Sequence, residues 1–244
     1  MQDIDGADAD ALAELVATIG SLVGERPVVV GLGGPISSGK STFAASLARL
    51  LADQRGIAAS VVSADGFLLR NEVLTERGIF ERKGYPESYD VEAIVAFLDA
   101  VRGGRTDVVA PTYSHEAYDV VDGTEPLGPA DVVVLEGIVA LQPSLDGQLD
   151  LGVYLHAERD VLTDWYVERF VELVGEVEEG STSILATFAD LDDVALRQAA
   201  VGVWEAINAP NNAENVEPTR ERADVVVTLG PDHGILDVEV RSVG

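Results

Sequence analysis

A chain of 244 residues with 47% apolar content has material for one large domain, or for one domain with a small lid. It contains no cysteine, which excludes disulfide frameworks, thiolate metal sites and thiol catalysis. The net charge of −27, from 43 acidic against 16 basic residues, argues against nucleic-acid or anionic-membrane partners, because both require cationic surface.

Only Lys40 and Lys83 among the basic residues are lysines. Lysine scarcity beside abundant carboxylates resembles the proteins of salt-accumulating archaea, whose ~3 Å Debye length near 1 M salt screens self-repulsion. A chain this negative repels a nucleoside triphosphate at long range, so its binding must come from cations within contact distance. No run approaches the ~20 apolar residues of a membrane span, and no basic-then-apolar leader opens the chain; a cytoplasmic protein is expected.

In chain order, Asp3, Asp5, Asp8 and Asp10 form an acidic start, and Leu12, Leu15, Val16, Ile19 and Val23 follow at helical spacing. Residues 28–32 read as a short buried strand. It leads into Gly34-Pro35-Ile36-Ser37-Ser38-Gly39-Lys40-Ser41, which matches the phosphate loop G-x-x-x-x-G-K-[ST]. Phe43, Leu47, Leu50 and Leu51 share one face of the helix that follows. The loop therefore ends at a helix N-terminus, where N–H groups and the dipole favour an anion. Gly34 and Gly39 allow close approach of the backbone, Lys40 can reach the β- and γ-phosphates, and Ser41 can ligate Mg²⁺. Ser37, Ser38 and Thr42 complete the expected nucleotide contacts.

A second strand is expected over 58–62, running into Ser63-Ala64-Asp65-Gly66-Phe67, and the charged stretch 69–90 suits a substrate-covering loop. A helix with Ile94, Phe97, Leu98 and Val101 inward should close at Gly103-Gly104. Residues 108–112 read as a strand and 113–121 as a short polar hairpin. Buried strands follow at 131–137 and 151–155, helices at about 158–177 and 192–207, a last core strand at 224–228 and an edge segment at 235–240. Strands apolar on both faces, alternating with helices, predict an α/β fold: a P-loop NTPase-type parallel sheet covered on both sides. We expect one kinase domain over 1–244, with acceptor and lid segments at about 69–90 and 160–215.

Ligands in such sheets sit at the carboxyl ends of the strands. That rim gathers the phosphate loop, Asp65 and Glu136. Asp65 can act as general base toward a hydroxyl, and Glu136 can hold or orient Mg²⁺. On spacing alone, Asp65 also reads as a turn or capping residue and Glu136 as an ordinary strand-end charge.

Several pieces resemble the P-loop pantothenate kinases, relatives of uridine kinase and phosphoribulokinase. They are Asp65-Gly66-Phe67-Leu68, Lys83-Gly84-Tyr85-Pro86-Glu87-Ser88-Tyr89-Asp90, Tyr113-Ser114-His115 with Tyr118-Asp119, Leu135-Glu136-Gly137, Trp165-Tyr166 with Arg169-Phe170, Ile207-Asn208, and Pro218-Thr219-Arg220-Glu221-Arg222-Ala223. They keep the family's order over residues 34–233. The resemblance implies ATP and Mg²⁺ as cofactors, a small-molecule substrate and a homodimer. It implies Asp65 as the base and an acceptor pocket of Tyr113, His115, Tyr118, Tyr166, Arg169 and Asn208. Arg169 would also stabilise charge on the transferring phosphoryl, and His233 would lie near the adenine.

The chain departs from that pattern at four places. Ala45 stands where the family has arginine, the stretch 183–188 has lost most of the family's aromatic rings, the segment before Leu151 is much shorter, and Arg70 replaces a proline close to Asp65. An added arginine there suggests a more anionic acceptor. The expected reaction transfers the ATP γ-phosphoryl group to a primary hydroxyl of a small anion. A pentose phosphate such as ribose 1-phosphate ranks slightly ahead, with pantothenate or a nucleoside as alternatives. A GTPase switch or transport ATPase is excluded by the lack of N-K-x-D and L-S-G-G-Q motifs.

Overall fold

Short valine-rich runs fix the centre of the molecule, because β-branched side chains suit a pleated surface buried on both faces. A computed structural model describes residues 6–105, 107–114, 116–177 and 184–241. Helices α1 (Gly6–Ala11) and α2 (Ala13–Leu22) precede strand β1 (Val28–Gly33), helix α3 (Lys40–Arg55) and strand β2 (Ala59–Ser63). Next come α4 (Asn71–Glu76), α5 (Val91–Arg102), β3 (Val109–Ser114), β4 (Asp119–Pro126) and β5 (Val132–Glu136). The chain closes with β6 (Leu151–His156), α6 (Arg159–Gly175), α7 (Asp193–Val203), β7 (Val225–Leu229) and β8 (Ile235–Val240).

The main sheet has the order β2-β5-β1-β6-β7-β8. Its first five strands are parallel, and β8 pairs antiparallel with β7 at the edge. Every residue of β1 and β5 is buried. Val28, Val30 and Leu32 pack with Leu15, Ile19, Phe43, Leu47 and Leu51, while Val29 packs on the opposite face with Ile94, Phe97 and Leu98. This two-sided burial is what the continuous apolar runs predict. Among the described residues no helix is long and apolar enough to cross a membrane.

Two elements differ from expectation. The stretch 108–121 is not a strand followed by a small hairpin: β3 and β4 form a separate two-stranded ribbon that runs on to Pro126. Its register shifts between Pro111 and Thr112, where proline offers no ladder N–H. The last helix does not stop near 207 either. After α7 it continues through wide π turns at Trp204–Asn208 and Asn212–Val216, separated by one turn at Ala209–Asn211. Pro210 has no N–H to donate, so a regular ladder cannot run through it.

The segment 69–90 is built rather than loose. It contains α4 and is closed at its base by Leu69 N–H to Ser88 O at 2.8 Å and Asp90 N–H to Phe67 O at 2.8 Å. Its outer turn is tied to the π-helical segment, where Tyr85 donates its hydroxyl to Ile207 O at 3.2 Å and Asn211 donates Nδ2–H to Gly84 O at 2.9 Å.

Candidate active site

The phosphate loop depends on backbone conformations that disfavour side chains. Gly34 has φ of 146° and Gly39 of 78°, and Ser37 also lies in the left-handed region at 61°. A Cβ on Gly34 would lie 2.8 Å from Leu155 O, so β6 leaves room only for glycine. Gly39 is the N-cap of α3, and the Lys40 side chain folds back over the loop to donate to Pro35 O at 2.7 Å. Burial lowers the Lys40 pKa below the ordinary lysine value, and the negative charges of Glu136 and Asp65 oppose that shift. Its ammonium thus feels both strand-end carboxylates. Thr42 lies half-buried in the first turn of α3.

The parallel register puts Leu32 of β1 and Ser63 of β2 beside Glu136 of β5, so three strands end on one rim. Glu136 is only 5% exposed and accepts a 2.9 Å hydrogen bond from the Ser41 hydroxyl. The Ser38 side chain is fully buried, and its hydroxyl oxygen has no partner among the described residues. No three His, Asp or Glu side chains cluster around a metal-sized space among the described residues. A glycine-lined cradle with a serine–carboxylate pair fits a triphosphate carrying Mg²⁺, which keeps most of its ligands as water and phosphate oxygens.

Asp65 sits in the single turn Ala64–Phe67 after β2. Ser63 caps that turn, accepting from Asp65 N–H at 3.4 Å, so the Asp65 carboxylate is not used as the cap. Instead it accepts from the Tyr89 hydroxyl at 3.0 Å. Burial, reinforced by Asp65, raises the Tyr89 pKa well above the phenol range, which keeps Tyr89 a donor. A Cβ on Gly66 would come within 2.1 Å of Pro111 O. Only glycine lets the β3–β4 ribbon press onto this turn.

That ribbon delivers Tyr113 and Tyr118, the latter at φ 52°. Both phenols are raised in pKa, chiefly by burial, and the charges of Asp65 and Asp119 also act on Tyr113. Tyr166 of α6 is hydrogen-bonded to Asn208 and leans on Trp204 with ring centroids 5.4 Å apart. Burial pushes the Tyr166 phenol up to about 12, while the Asn208 hydrogen bond acts in the opposite direction. Tyr118 also acts electrostatically on both Tyr113 and Tyr166, so Tyr113, Tyr118, Tyr166 and Asn208 share one neighbourhood.

The surroundings of the other expected members are as follows. The Arg169 side chain is 51% exposed and pairs with Glu172 one turn along α6 at 3.2 Å. Arg70 does not present an uncommitted cation to the acceptor side, because its guanidinium is paired with Asp122 of β4. His115 lies outside the described residues. His233, at φ 65°, stacks on Trp165 at 3.8 Å, and its Nδ1 is buried without a partner among the described residues. Burial lowers its pKa. The sequence singles out Tyr89 and Lys83 only as members of the run 83–90, with no role for either; the structure brings Tyr89 to Asp65. Lys83 donates 2.6 Å to Asn71 Oδ1 and also to Tyr118 O, with its ammonium 4.0 Å from the Tyr118 ring centroid. The available signal was the near-absence of lysine elsewhere.

Cradles of this construction define P-loop nucleotide-binding proteins, and comparison with known proteins narrows the class to kinases. The phosphoribulokinase / uridine kinase family matches residues 29–198. The pantothenate kinase of Sorangium cellulosum (strain So ce56) is 40% identical over 234 residues, covering 91% of this chain and 75% of its own length. That of Myxococcus xanthus (strain DK1622) is 37% identical over 244 residues, covering 94% and 76%. The solved structure of D-glycerate 3-kinase from Cryptococcus neoformans var. grubii serotype A shares the fold, with a TM-score of 0.68 at 15% identity over 97% of this chain and 100% of that one. The chain belongs to the phosphoribulokinase / uridine kinase family, within its P-loop pantothenate kinase branch. It is an ATP-dependent kinase that works with Mg²⁺.

Proposed function

We propose that the chain phosphorylates the primary hydroxyl of pantothenate to give 4'-phosphopantothenate. The observation that carries this reading is the wall of Tyr113, Tyr118, Tyr166 and Asn208 gathered on the same side as Asp65, in a chain whose relatives are named pantothenate kinases. Arg70, which suggests a second phosphate, is paired with the exposed Asp122, a surface pair worth about 0–1 kcal/mol. The names of the relatives support pantothenate over the pentose phosphate that Ala45, the lost aromatic rings and Arg70 suggest.

In this reading Asp65 accepts the proton of the acceptor hydroxyl as the oxygen attacks, and Tyr89 holds the carboxylate in place. Lys40 lies over the cradle to neutralise phosphate charge, and Ser41 with Glu136 would hold Mg²⁺. Bound there, Mg–ATP supplies the γ-phosphoryl group. The buried Nδ1 and stacked ring of His233 support a place beside the nucleobase.

Coupled ADP release tests the acceptor, using the purified chain in molar KCl with pantothenate, ribose 1-phosphate and uridine offered separately. Pantothenate-dependent turnover is expected to dominate. Turnover confined to ribose 1-phosphate or uridine would replace this reading.

The acidic, lysine-poor composition supports a protein adapted to a cytoplasm near molar salt. The melting temperature is then expected to climb by ~10 °C or more between 0.1 and 2 M KCl, as self-repulsion is screened. A flat melting curve against KCl would remove the halophilic reading. The family resemblance also supports a homodimer, which light scattering in the same salt would register as twice the 25.8 kDa chain mass.

A further inference from the structure

Six polar or charged residues are buried among the described ones: Ser38, Ser46, Ser88, Glu136, Asn211 and Thr219. Ser38 and Glu136 belong to the cradle. Ser46 accepts from Arg49, and the Ser88 and Thr219 hydroxyls donate to carbonyls three residues earlier. Asn211 differs, because its carboxamide joins parts of the chain that are far apart. It donates Nδ2–H at 2.9 Å to Gly84 O, 127 residues away, and its Oδ1 accepts from Asn215 Nδ2 at 3.0 Å. The carbonyl of Asn215 in turn accepts from Gln142 Nε2 at 2.6 Å, in the connection after β5. A buried amide is costly unless its polar atoms are bonded, and here both the nitrogen and the oxygen are.

The turn that Asn211 grips leads to the base. Gly84 has φ of 88°, and its N–H donates to Ser88 Oγ at 2.9 Å. Ser88 is fully buried, and its N–H and its hydroxyl both donate to Tyr85 O, at 2.9 and 2.7 Å. Residues 84–88 are thereby closed into one unit. Its inner end is fixed where Leu69 N–H meets Ser88 O, and its outer end where Asn211 meets Gly84 O. The Tyr85 hydroxyl adds a longer bond, 3.2 Å, to Ile207 O. The residue that follows this unit is Tyr89, whose hydroxyl donates to Asp65 at 3.0 Å. Asn215 sets which way the Asn211 carboxamide faces; with its two ends exchanged, an amide oxygen would point at the Gly84 oxygen.

We propose that Asn211 is a positioning residue for phosphoryl transfer. Acting from outside the site, through the closed turn at 84–88, it holds the Tyr89 hydroxyl on Asp65. A carboxylate kept in one orientation meets the acceptor hydroxyl ready to take its proton, and one set free must first be oriented. The proposal rests on Asp65 as the base and not on which acceptor is used. The kcat of Asp65→Asn tests that base reading separately.

Asn211→Ala is expected to lower kcat about 10-fold, the worth of one or two buried hydrogen bonds, with the ATP KM within about twofold. In a Tyr89→Phe background the same change is expected to cost less than about twofold, because the link no longer ends on the carboxylate. A kcat loss that persists undiminished in that background overturns the proposal, since it marks damage that bypasses Tyr89. A kcat for Asn211→Ala within about twofold of the parent chain also overturns it. Asn215→Ala keeps the Asn211 side chain and is expected to lower kcat about threefold, adding nothing to Asn211→Ala. Losses that add overturn a path through the carboxamide. Rates are read with whichever of pantothenate, ribose 1-phosphate and uridine is turned over, so the pantothenate reading can fail while this one stands. Amide hydrogen exchange of the whole chain without substrates needs no acceptor. There Asn211→Ala is expected to speed exchange across residues 84–90 by about 10-fold and to leave residues 28–55 unchanged. Unchanged exchange at 84–90, or an equal rise at 28–55 from general loosening, overturns the proposal.

Discussion

Asp65→Asn is expected to lower kcat by about 10²- to 10⁴-fold, the usual worth of a general base, while the ATP KM stays within about twofold. The substitution is nearly isosteric. The amide oxygen can still accept from Tyr89, and the capping bond to Ser63 uses the backbone N–H of residue 65, which the mutation leaves in place. Fold and nucleotide cradle should therefore survive, which isothermal titration with ATP and a melting curve would check. What goes is the ability to take a proton from the attacking hydroxyl. A kcat loss below tenfold in a well-folded variant would show that the proton leaves by another route, and the base assignment would be withdrawn.

Lys40→Ala should cost about 10²- to 10³-fold in kcat/KM for ATP, similar to removing one preorganised donor from developing charge. Its effect should differ in kind from that of Asp65. The ammonium closes the loop onto Pro35 O and is the cation set against Glu136 and Asp65. Without it, two carboxylates face an incoming triphosphate on a protein already at −27. ATP affinity should fall together with kcat, and added salt should recover part of the affinity by screening. Unchanged ATP binding in the alanine variant would contradict this role.

The parts of the site readable in the sequence are those set by local rules. A valine run, a glycine-bounded loop and a helical stripe place Lys40 and Ser41, and strand ends place Asp65 and Glu136 on the same rim. Ion pairing across the fold follows no such rule. Arg70 sits five residues from Asp65 and reads as an addition to the acceptor site, but its partner lies 52 residues away on a ribbon with its own register. Lys83 is bonded to groups 12 and 35 residues distant, so its surroundings exist only after folding. Pro210 reads locally as a helix stop, yet packing carries the helix through it. Tyr89, twenty-four residues beyond Asp65, reaches it only because the base of the 69–90 segment is cinched shut.

The two ties between that segment and the proline-interrupted helix join the doorway to its frame. Tyr85 and Asn211 are 6% and 8% exposed, and both latch bonds are partly buried. Swinging Gly84 and Tyr85 outward means dragging the backbone around Ile207 and Asn211 along, or breaking both bonds together. The same stretch carries Asn208, so loosening the doorway also disturbs the hydrogen bond from Asn208 to Tyr166.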